Sequence, residues 1–343
     1  MAKSQNSQIV QWLRRNLFNS WYNTILTSIC LGLLFLAVKG ILTWVFTQAQ
    51  WTVIQANLHL FLVGRFPQQL YWRLWLALVI ILSLTGCYWG ILTKRLPNLI
   101  NRWQPLAWAL SFPIILWLIG GGFGLESVET NLWNGLLLTL VMAVISIILS
   151  FPLGVLLALG RQSSLFVVRW MSIFYIEIIR GLPLIGILFL AQVMLPLFLP
   201  DEIRLDRVLR GIAGLTLFSA AYLAENVRGG LQAVPCGQLE AARALGFNTL
   251  FIILFIVLPQ ALRAVIPALV GQFIGLFKDT SLLAIVGLLE LTGISRSILA
   301  QPQFINRYAE VYLFIGLIYW LFCYSMSLAS QRLEKQLKLG IRS

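Results

Sequence analysis

The sequence is poor in the residues from which catalytic and metal sites are usually built. It contains one histidine, four cysteines and 12 acidic residues in a chain of 343. His59 has no acidic or cysteine neighbour within a helical turn, which favours a loop position. The cysteines lie far apart without metal-ligand or paired spacing, which indicates small apolar roles; they are Cys30, Cys87, Cys236 and Cys323. We expect no metal site in this chain.

Two sequence motifs of enzymes are also missing. No G-x-x-x-x-G-K-[ST] phosphate loop is present, so the chain is not predicted to hydrolyse ATP itself. The G-x-S-x-G pattern of serine hydrolases is missing as well, and no acid pair lies within an apolar run. These absences weaken the hypothesis of a membrane-embedded enzyme.

What the chain has in abundance is apolar sequence. Hydrophobic residues make up 59% of it, charged residues only 11%, and the mean hydropathy is +0.86. Soluble domains are roughly 45–50% apolar and about 25% charged, so the composition predicts an integral membrane protein. The formal net charge of +13 comes from basic residues scattered singly between apolar runs. This distribution favours membrane lipid, and not nucleic acid, as the partner of the basic residues.

The apolar runs predict about eight transmembrane helices, because lipid offers the backbone no other hydrogen-bond partners. The predicted spans are Ile25–Phe46, Trp72–Leu92, Leu106–Phe123, Leu132–Leu159, Val167–Leu199, Gly211–Glu225, Ala264–Leu289 and Tyr312–Ser330. Val167–Leu199 is too long for one straight crossing, and we expect it to begin as an interfacial helix that turns into the membrane near Gly181 and Pro183. Gly211–Glu225 is short and is expected to start earlier, near Val208.

Charge and glycine content suggest the orientation and the domain organisation. Lys and Arg are more numerous in the segments that lie inside when both termini are cytoplasmic, which favours that orientation. The glycine-rich stretch Gly120–Thr130 separates three spans from five. We therefore predict an N-terminal extension over residues 1–124 and a working core over residues 125–343.

The predicted cytoplasmic segment Arg228–Arg263 is the most informative part of the chain. Pro235 suits the first turn of a short helix, and Gly246 suits its left-handed end. Asn248 or Thr249 is placed to cap a second helix that Pro259 should end. The first helix is expected to present a small apolar surface beside its charged residues; this surface consists of Ala241, Ala242, Ala244 and Leu245, next to Glu240 and Arg243. Such a helix either docks into a groove of another protein or lies on the lipid surface.

A family resemblance favours docking. The segment matches the pattern EAA-x3-G-x9-I-x-L-P at each fixed position, namely Glu240, Ala241, Ala242, Gly246, Ile256, Leu258 and Pro259. This pattern resembles the signature loop of the membrane subunits of bacterial ABC importers. Ser219–Gly246, Glu177–Leu184 and Phe277–Gly287 are similar to polar-amino-acid importers. The stretch ANLHLFLVGRFP is similar to the general L-amino-acid permease subunits, which also carry extra N-terminal spans.

The resemblance implies a permease subunit with a five-helix type I importer core, located in the bacterial plasma (inner) membrane. It implies a second homologous permease subunit, in a heterodimer, together with two ATPase subunits and an extracytoplasmic amino-acid-binding protein. ATP and Mg would be bound by the ATPase partner. The coupling helix would contain Glu240, Ala241, Ala242 and Gly246, with Pro259 closing the loop, and import would proceed by alternating access. The rival hypothesis is a secondary transporter or channel for small polar solutes, which leaves the Glu240–Pro259 pattern unexplained.

Charged and polar residues inside the predicted spans suggest further sites, because such residues are costly in lipid. Lys278, Asp279, Thr280 and Ser281 supply both charges that a zwitterionic amino acid needs, so we predict a substrate path here. A polar hinge or a contact with the partner subunit are the alternatives.

Two further pairs of residues are predicted to have a gating or a structural role. Glu177 and Arg180 are spaced i, i+3 and are expected to form an ion pair near the turn at Gly181 and Pro183. Direct contact with substrate is the alternative for this pair. Tyr222 and Glu225 are expected to form a gate or a cytoplasmic network, or else to anchor the sixth span at the interface.

Overall fold

The computed structural model describes residues 11–13, 15–93, 98–200 and 202–339, and its regular elements are helices. The predicted all-α fold class is therefore confirmed. The ends of the chain, residues 1–10 and 340–343, lie outside the described residues. The prediction that both termini are cytoplasmic therefore falls on residues outside the described part of the chain.

The helices are numbered here in chain order. They are α1 (Trp21–Thr43), α2 (Thr52–Val63), α3 (Tyr71–Leu92), α4 (Asn98–Gly120), α5 (Gly135–Arg161), α6 (Phe166–Gly181), α7 (Leu184–Phe198), α8 (Arg207–Ala233), α9 (Cys236–Ala244), α10 (Thr249–Ala284), α11 (Leu291–Leu299) and α12 (Tyr308–Leu339). Residue contacts divide the chain into two compact units, Met1–Gln55 and Ala56–Ser343. The first unit contains α1 and the second contains α3 to α12.

The number of candidate spans agrees with the prediction. Among the described residues, seven helices are long and apolar enough to cross a membrane, and α6 with α7 makes an eighth if the pair is one broken span. The two helices of this pair are bent by 105° at the break between Gly181 and Leu184. Leu182 is extended there, the conformation that a following proline favours. The predicted turn near Gly181 and Pro183 is confirmed.

The structure differs from the predicted boundaries in α8 and α2. Helix α8 runs over Arg207–Ala233, so the expected earlier start near Val208 is confirmed, whereas its end lies beyond the predicted Glu225. Its charged ends are stabilised by hydrogen bonds and ion pairs, so helix formation continues past the apolar run. Asp206 caps its start by accepting hydrogen bonds from the backbone N–H groups of Val208 and Leu209. His59 lies on the exposed face of α2, so the prediction of a loop position was wrong.

A buried apolar cluster extends across the predicted boundary between extension and core. Phe66 and Ile119, from the predicted extension, pack in one cluster with Met142 and Leu188 from the predicted core. Within a membrane such a cluster stabilises the fold through close van der Waals packing, because lipid is as apolar as the side chains themselves. The division at residues 124 and 125 stays a prediction, and the side chains on its two sides share a hydrophobic core.

The start of α5 is also packed tightly against α2. Gly135 has φ +62°, and a Cβ atom there would lie 2.5 Å from the carbonyl oxygen of Phe61. Only glycine permits this approach, because it combines a left-handed backbone with the absence of a side chain.

Candidate functional site

The predicted coupling segment forms the short helix α9, which ends as its sequence indicates. Gly246 has φ +80°, and its N–H donates to the carbonyl of Arg243 at 2.9 Å. The N–H of Phe247 donates to the carbonyl of Ala242 at 3.2 Å. These two bonds form a Schellman motif, which satisfies carbonyls at the end of the helix. The space around the position of a Gly246 Cβ is open, so the backbone, and not crowding, selects glycine here.

The exposed surface of α9 differs in one residue from the prediction. Glu240 and Ala241 are exposed, and Leu245 beyond the end of the helix is 77% exposed. Ala242 was expected on the same surface but is buried. It packs in a cluster with Val257 and other residues of α8 and α10. The helix is therefore fixed to the transmembrane helices by one side while the other stays accessible.

The segment that follows α9 does not end at Pro259, so this prediction was wrong. Asn248 caps the next helix by accepting a hydrogen bond from the Phe251 N–H at 2.9 Å, as predicted. That helix then continues through Pro259 as α10, because residues Ile252–Val257 adopt π-helical geometry just before the proline. A π-helical turn shifts the backbone pairing where the proline lacks an N–H. The Gln260 side chain also donates to the carbonyl of Ile256 at 2.8 Å.

An ion-pair network joins α5, α6 and α8 at the end from which the α9 segment leaves. Glu225 on α8 lies 3.0 Å from Arg161, 3.5 Å from Arg180 and 2.8 Å from Arg228. Arg161 also lies 2.9 Å from Glu177. The partners of Glu177 and Arg180 are thus on other helices, and the predicted pair between these two residues is replaced by cross-helix pairs.

The same network contains the predicted residue Tyr222. The guanidinium carbon of Arg180 lies 5.6 Å from the centre of the Tyr222 ring, within the range of a cation–π contact. Tyr222 and Glu225 therefore contact the same arginine, and their predicted role as a gate, a cytoplasmic network or an interface anchor stays a prediction. Sequence reasoning missed Arg161 and Arg228 as members. The i, i+3 spacing of Glu225 and Arg228 was a signal that could have identified the second of them.

The predicted substrate-path residues do not all face the same environment. Lys278 is exposed, and Asp279 and Ser281 are half-buried. Thr280 is fully buried, and its hydroxyl donates to the carbonyl of Phe277 at 2.7 Å. Thr280 therefore lines no open surface in this conformation, and its place in a substrate path stays a prediction. The helix tightens to a 3-10 turn at Thr280–Ala284, so the charged pair lies at an irregular point of α10.

A buried carboxylate at the opposite end of the bundle was missed by sequence reasoning. Glu290 is fully buried, and its Oε1 accepts hydrogen bonds from the N–H groups of Thr292 and Gly293, each at 2.9 Å. The Tyr319 hydroxyl donates to Oε2 at 3.0 Å. Burial raises the pKa of the Glu290 carboxyl above its usual range, and the two backbone donors oppose this rise. An acid directly before a helix starting at Leu291 was the available signal.

Comparison with known proteins identifies the family. Residues 150–339 match the family described as "Binding-protein-dependent transport system inner membrane component". The chain belongs to this family. The matched residues include both the α9 segment and the Glu225 network. The permease is therefore the membrane component of such a system, and the ATPase is a separate subunit.

Individual relatives agree with this assignment. The inner membrane amino-acid ABC transporter permease protein YhdY of Escherichia coli (strain K12) is 42% identical over 99% of this chain and 96% of its own length. The glutamate/glutamine/aspartate/asparagine transport system permease protein BztC of Rhodobacter capsulatus is 34% identical over 96% of this chain and 94% of its own.

A solved structure is similar to more than half of the permease. The crystal structure of an amino acid ABC transporter with histidines matches 59% of this chain and 92% of that chain, with a TM-score of 0.53 and 31% identity. Two of these similar proteins are described as ABC transporter components and the third as a transport system permease, which supports the importer hypothesis over a secondary transporter or channel. Family membership implies an ATPase and a substrate-binding protein as partners and a bacterial inner-membrane location.

Proposed function

We propose that this permease forms the amino-acid path of an ATP-driven importer and that α9 couples it to a separate ATPase. The observation that carries the proposal is the geometry of α9. One side is buried through Ala242, while Glu240 and Ala241 remain exposed on the other. Force applied to the exposed side is therefore transmitted to the apolar cluster that α9 shares with α8 and α10.

The assembly that suits this proposal contains a second homologous permease subunit in a heterodimer, two ATPase subunits and an extracytoplasmic amino-acid-binding protein. ATP and Mg bind to the ATPase subunits. Both termini of the permease face the cytoplasm, on the same side as α9. Nucleotide-driven movement of α9 then rocks the transmembrane helices between inward-facing and outward-facing states.

The proposed substrate path runs past the irregular end of α10. Lys278 and Asp279 supply one charge of each sign, which suits the carboxylate and ammonium groups of an amino acid. Gly275 and Gly271 lie one and two turns earlier on the same helix, and no atom from elsewhere in the described chain lies within 4 Å of a Cβ built on either. These small residues leave room along α10 for a ligand or a neighbouring subunit to approach.

Reconstitution tests the proposal. The permease, purified with its partner subunits in vesicles that contain ATP, should accumulate amino acids when the binding protein is added outside. Asp279→Ala should raise the substrate concentration needed for half-maximal uptake while ATP hydrolysis without substrate stays unchanged. Absence of ATP-dependent accumulation would reject the importer function. Normal accumulation with unchanged uptake kinetics in Asp279→Ala would reject only the substrate path.

A further inference from the structure

A cavity of about 320 Å³ lies between the end of α7 and the start of α8. Its wall includes the apolar residues Pro196, Leu199 and Ile203, and two arginines, Arg204 and Arg210, also line it. The cavity is half open, so a ligand can enter from the surface without any rearrangement of the helices. A small space that combines apolar walls with two cations suits an amphipathic anion.

The two arginines are available for a ligand. None of the ion pairs among the described residues involves Arg204 or Arg210. Glu202, which precedes two lining residues in sequence, is exposed to solvent, and Asp206 is engaged, since it caps α8 and accepts a hydrogen bond from the Thr130 hydroxyl at 2.5 Å. Both Asp206 carboxylate oxygens therefore already accept hydrogen bonds, from the helix start and from Thr130.

Arg210 is held in place but incompletely bonded. Its Nη1 donates to the carbonyl oxygen of Gln192, and the Gln192 side chain in turn donates to the carbonyl of Arg207 at 2.6 Å. The Nε of Arg210 is buried and has no hydrogen-bond partner within the part of the chain that the structure describes. A buried donor without a partner is costly, and the Arg210 guanidinium keeps its positive charge uncompensated by any ion pair among the described residues.

The surroundings of the cavity are apolar and exposed. Leu197 and Phe198 at the end of α7 are 78% and 76% exposed, and Leu209 on the first turn of α8 is 56% exposed. Helix α8 and the broken pair of α6 and α7 are candidate spans by length and composition, so we place their ends at the cavity at the level of the lipid headgroups. The rim therefore meets acyl chains while the arginines meet the headgroup layer.

We propose that this cavity binds the phosphate-bearing headgroup of an anionic phospholipid, with Arg204 and Arg210 contacting the phosphate and Leu197 and Phe198 contacting the acyl chains. The guanidinium group suits this task because it forms paired, charge-assisted hydrogen bonds with phosphate oxygens. Bound lipid would join the end of α7 to the start of α8. This assignment does not depend on which solute the permease carries.

Lipid retention by the purified complex tests the proposal. The complex is partly delipidated and titrated with phosphatidylglycerol or phosphatidylcholine of matched acyl chains, and bound lipids are counted by native mass spectrometry. The wild type should retain phosphatidylglycerol preferentially. Each basic residue near a charged headgroup contributes about 1 kcal/mol, so Arg204→Gln should weaken retention about fivefold. Arg65→Gln, which changes an exposed arginine outside the cavity, is the matched control and should have no effect.

Other outcomes distinguish the lipid from alternative ligands. Equal retention of the two lipids by the wild type would overturn the proposal. Displacement of phosphatidylglycerol by millimolar inorganic phosphate would assign the cavity to a free anion instead. Unchanged lipid retention in Arg204→Gln, combined with weaker docking of the binding protein, would make the arginines part of a protein interface and would also overturn it.

Discussion

Arg161 and Glu225 form an ion pair 3.0 Å long that joins the end of α5 to α8. The same Arg161 nitrogen lies 2.9 Å from Glu177 on α6. The Glu225 side chain is 15% exposed, whereas that of Glu177 is 54% exposed. Arg161 therefore makes one partly buried and one solvent-screened contact, and the two should contribute differently to stability.

Double-mutant cycles should reveal this difference. Arg161→Gln and Glu225→Gln, singly and together, should give a coupling energy of about 1–2 kcal/mol, because both partners lose a charge-assisted hydrogen bond. The corresponding cycle with Glu177→Gln should give about 0.5 kcal/mol or less, since water screens that pair. Thermal unfolding of the purified complex in detergent measures both. Equal coupling in the two cycles would show that Glu225 is not the central acid of the network.

Substitutions at Gly246, at the end of α9, should impair coupling because of the backbone conformation there and not because of the size of the new side chain. Gly246→Ala places a side chain at φ +80°, which costs roughly 1–2 kcal/mol, and should lower amino-acid-stimulated ATP hydrolysis by the complex. Gly246→Asn should retain more activity, because asparagine tolerates the left-handed region better. Gly237→Ala is the matched control, since Gly237 lies within α9 and has open space around it. If Gly237→Ala and Gly246→Ala behave alike, the left-handed conformation does not limit coupling.

The buried carboxyl of Glu290 predicts a dependence of stability on pH. Its pKa is higher in the folded than in the unfolded chain because of burial, so the folded state binds the proton more tightly. The resulting stabilisation is complete below the usual carboxyl range, near pH 4.3, and is lost as the pH rises through the raised folded pKa. Glu290→Gln keeps a neutral side chain of the same shape. Its unfolding temperature should therefore fall less than that of the wild type as the pH rises.

A control separates this effect from general charge effects. Glu202→Gln removes an exposed carboxylate and should leave the wild-type pH dependence unchanged. The same slope in the wild type and in Glu290→Gln would mean that Glu290 makes no contribution to the pH dependence.

The natural cysteine of α9 reports the orientation of the permease. Cys236 is exposed, so in a variant with the other three cysteines replaced by alanine it should react with a membrane-impermeant maleimide. Labelling should occur in inside-out vesicles and not in intact cells with permeable outer envelopes. Phe123→Cys, in a loop predicted to face the exterior, should show the opposite pattern, since Phe123 is fully exposed. Reversed labelling of the two positions would place α9 outside and exclude coupling to a cytoplasmic ATPase.

Sequence reasoning succeeded where short-range rules act. Gly246 marked a helix end and Asn248 a helix start, because both act through backbone groups within a few residues. The break at Pro183 follows from the same local chemistry. The prediction that Pro259 ends a helix was wrong because the π-helical segment just before it accommodates the proline. The sequence pattern does not indicate where such a π-helical segment forms.

Ion pairs between different helices could not be predicted from the sequence. Glu177 and Arg180 have suitable helical spacing for an ion pair, yet their partners are Arg161 and Glu225 on neighbouring helices. Spacing along one helix indicates which side chains of that helix can form an ion pair. Packing between helices brings other ion-pair partners equally close to these side chains, or closer. Ala242 illustrates the same limit, since its burial depends on residues of α8 and α10.

The sequence by itself determined that this chain is a helical membrane protein of the importer permease family, because an apolar content of 59% and an unbroken signature segment need no tertiary information. Only the tertiary structure decided which charges pair, which face of α9 is free and where two arginines with no ion pair among the described residues line a cavity. These features arise from contacts between residues far apart in the chain, and side-chain periodicity along one helix carries no information about the neighbour that it will meet.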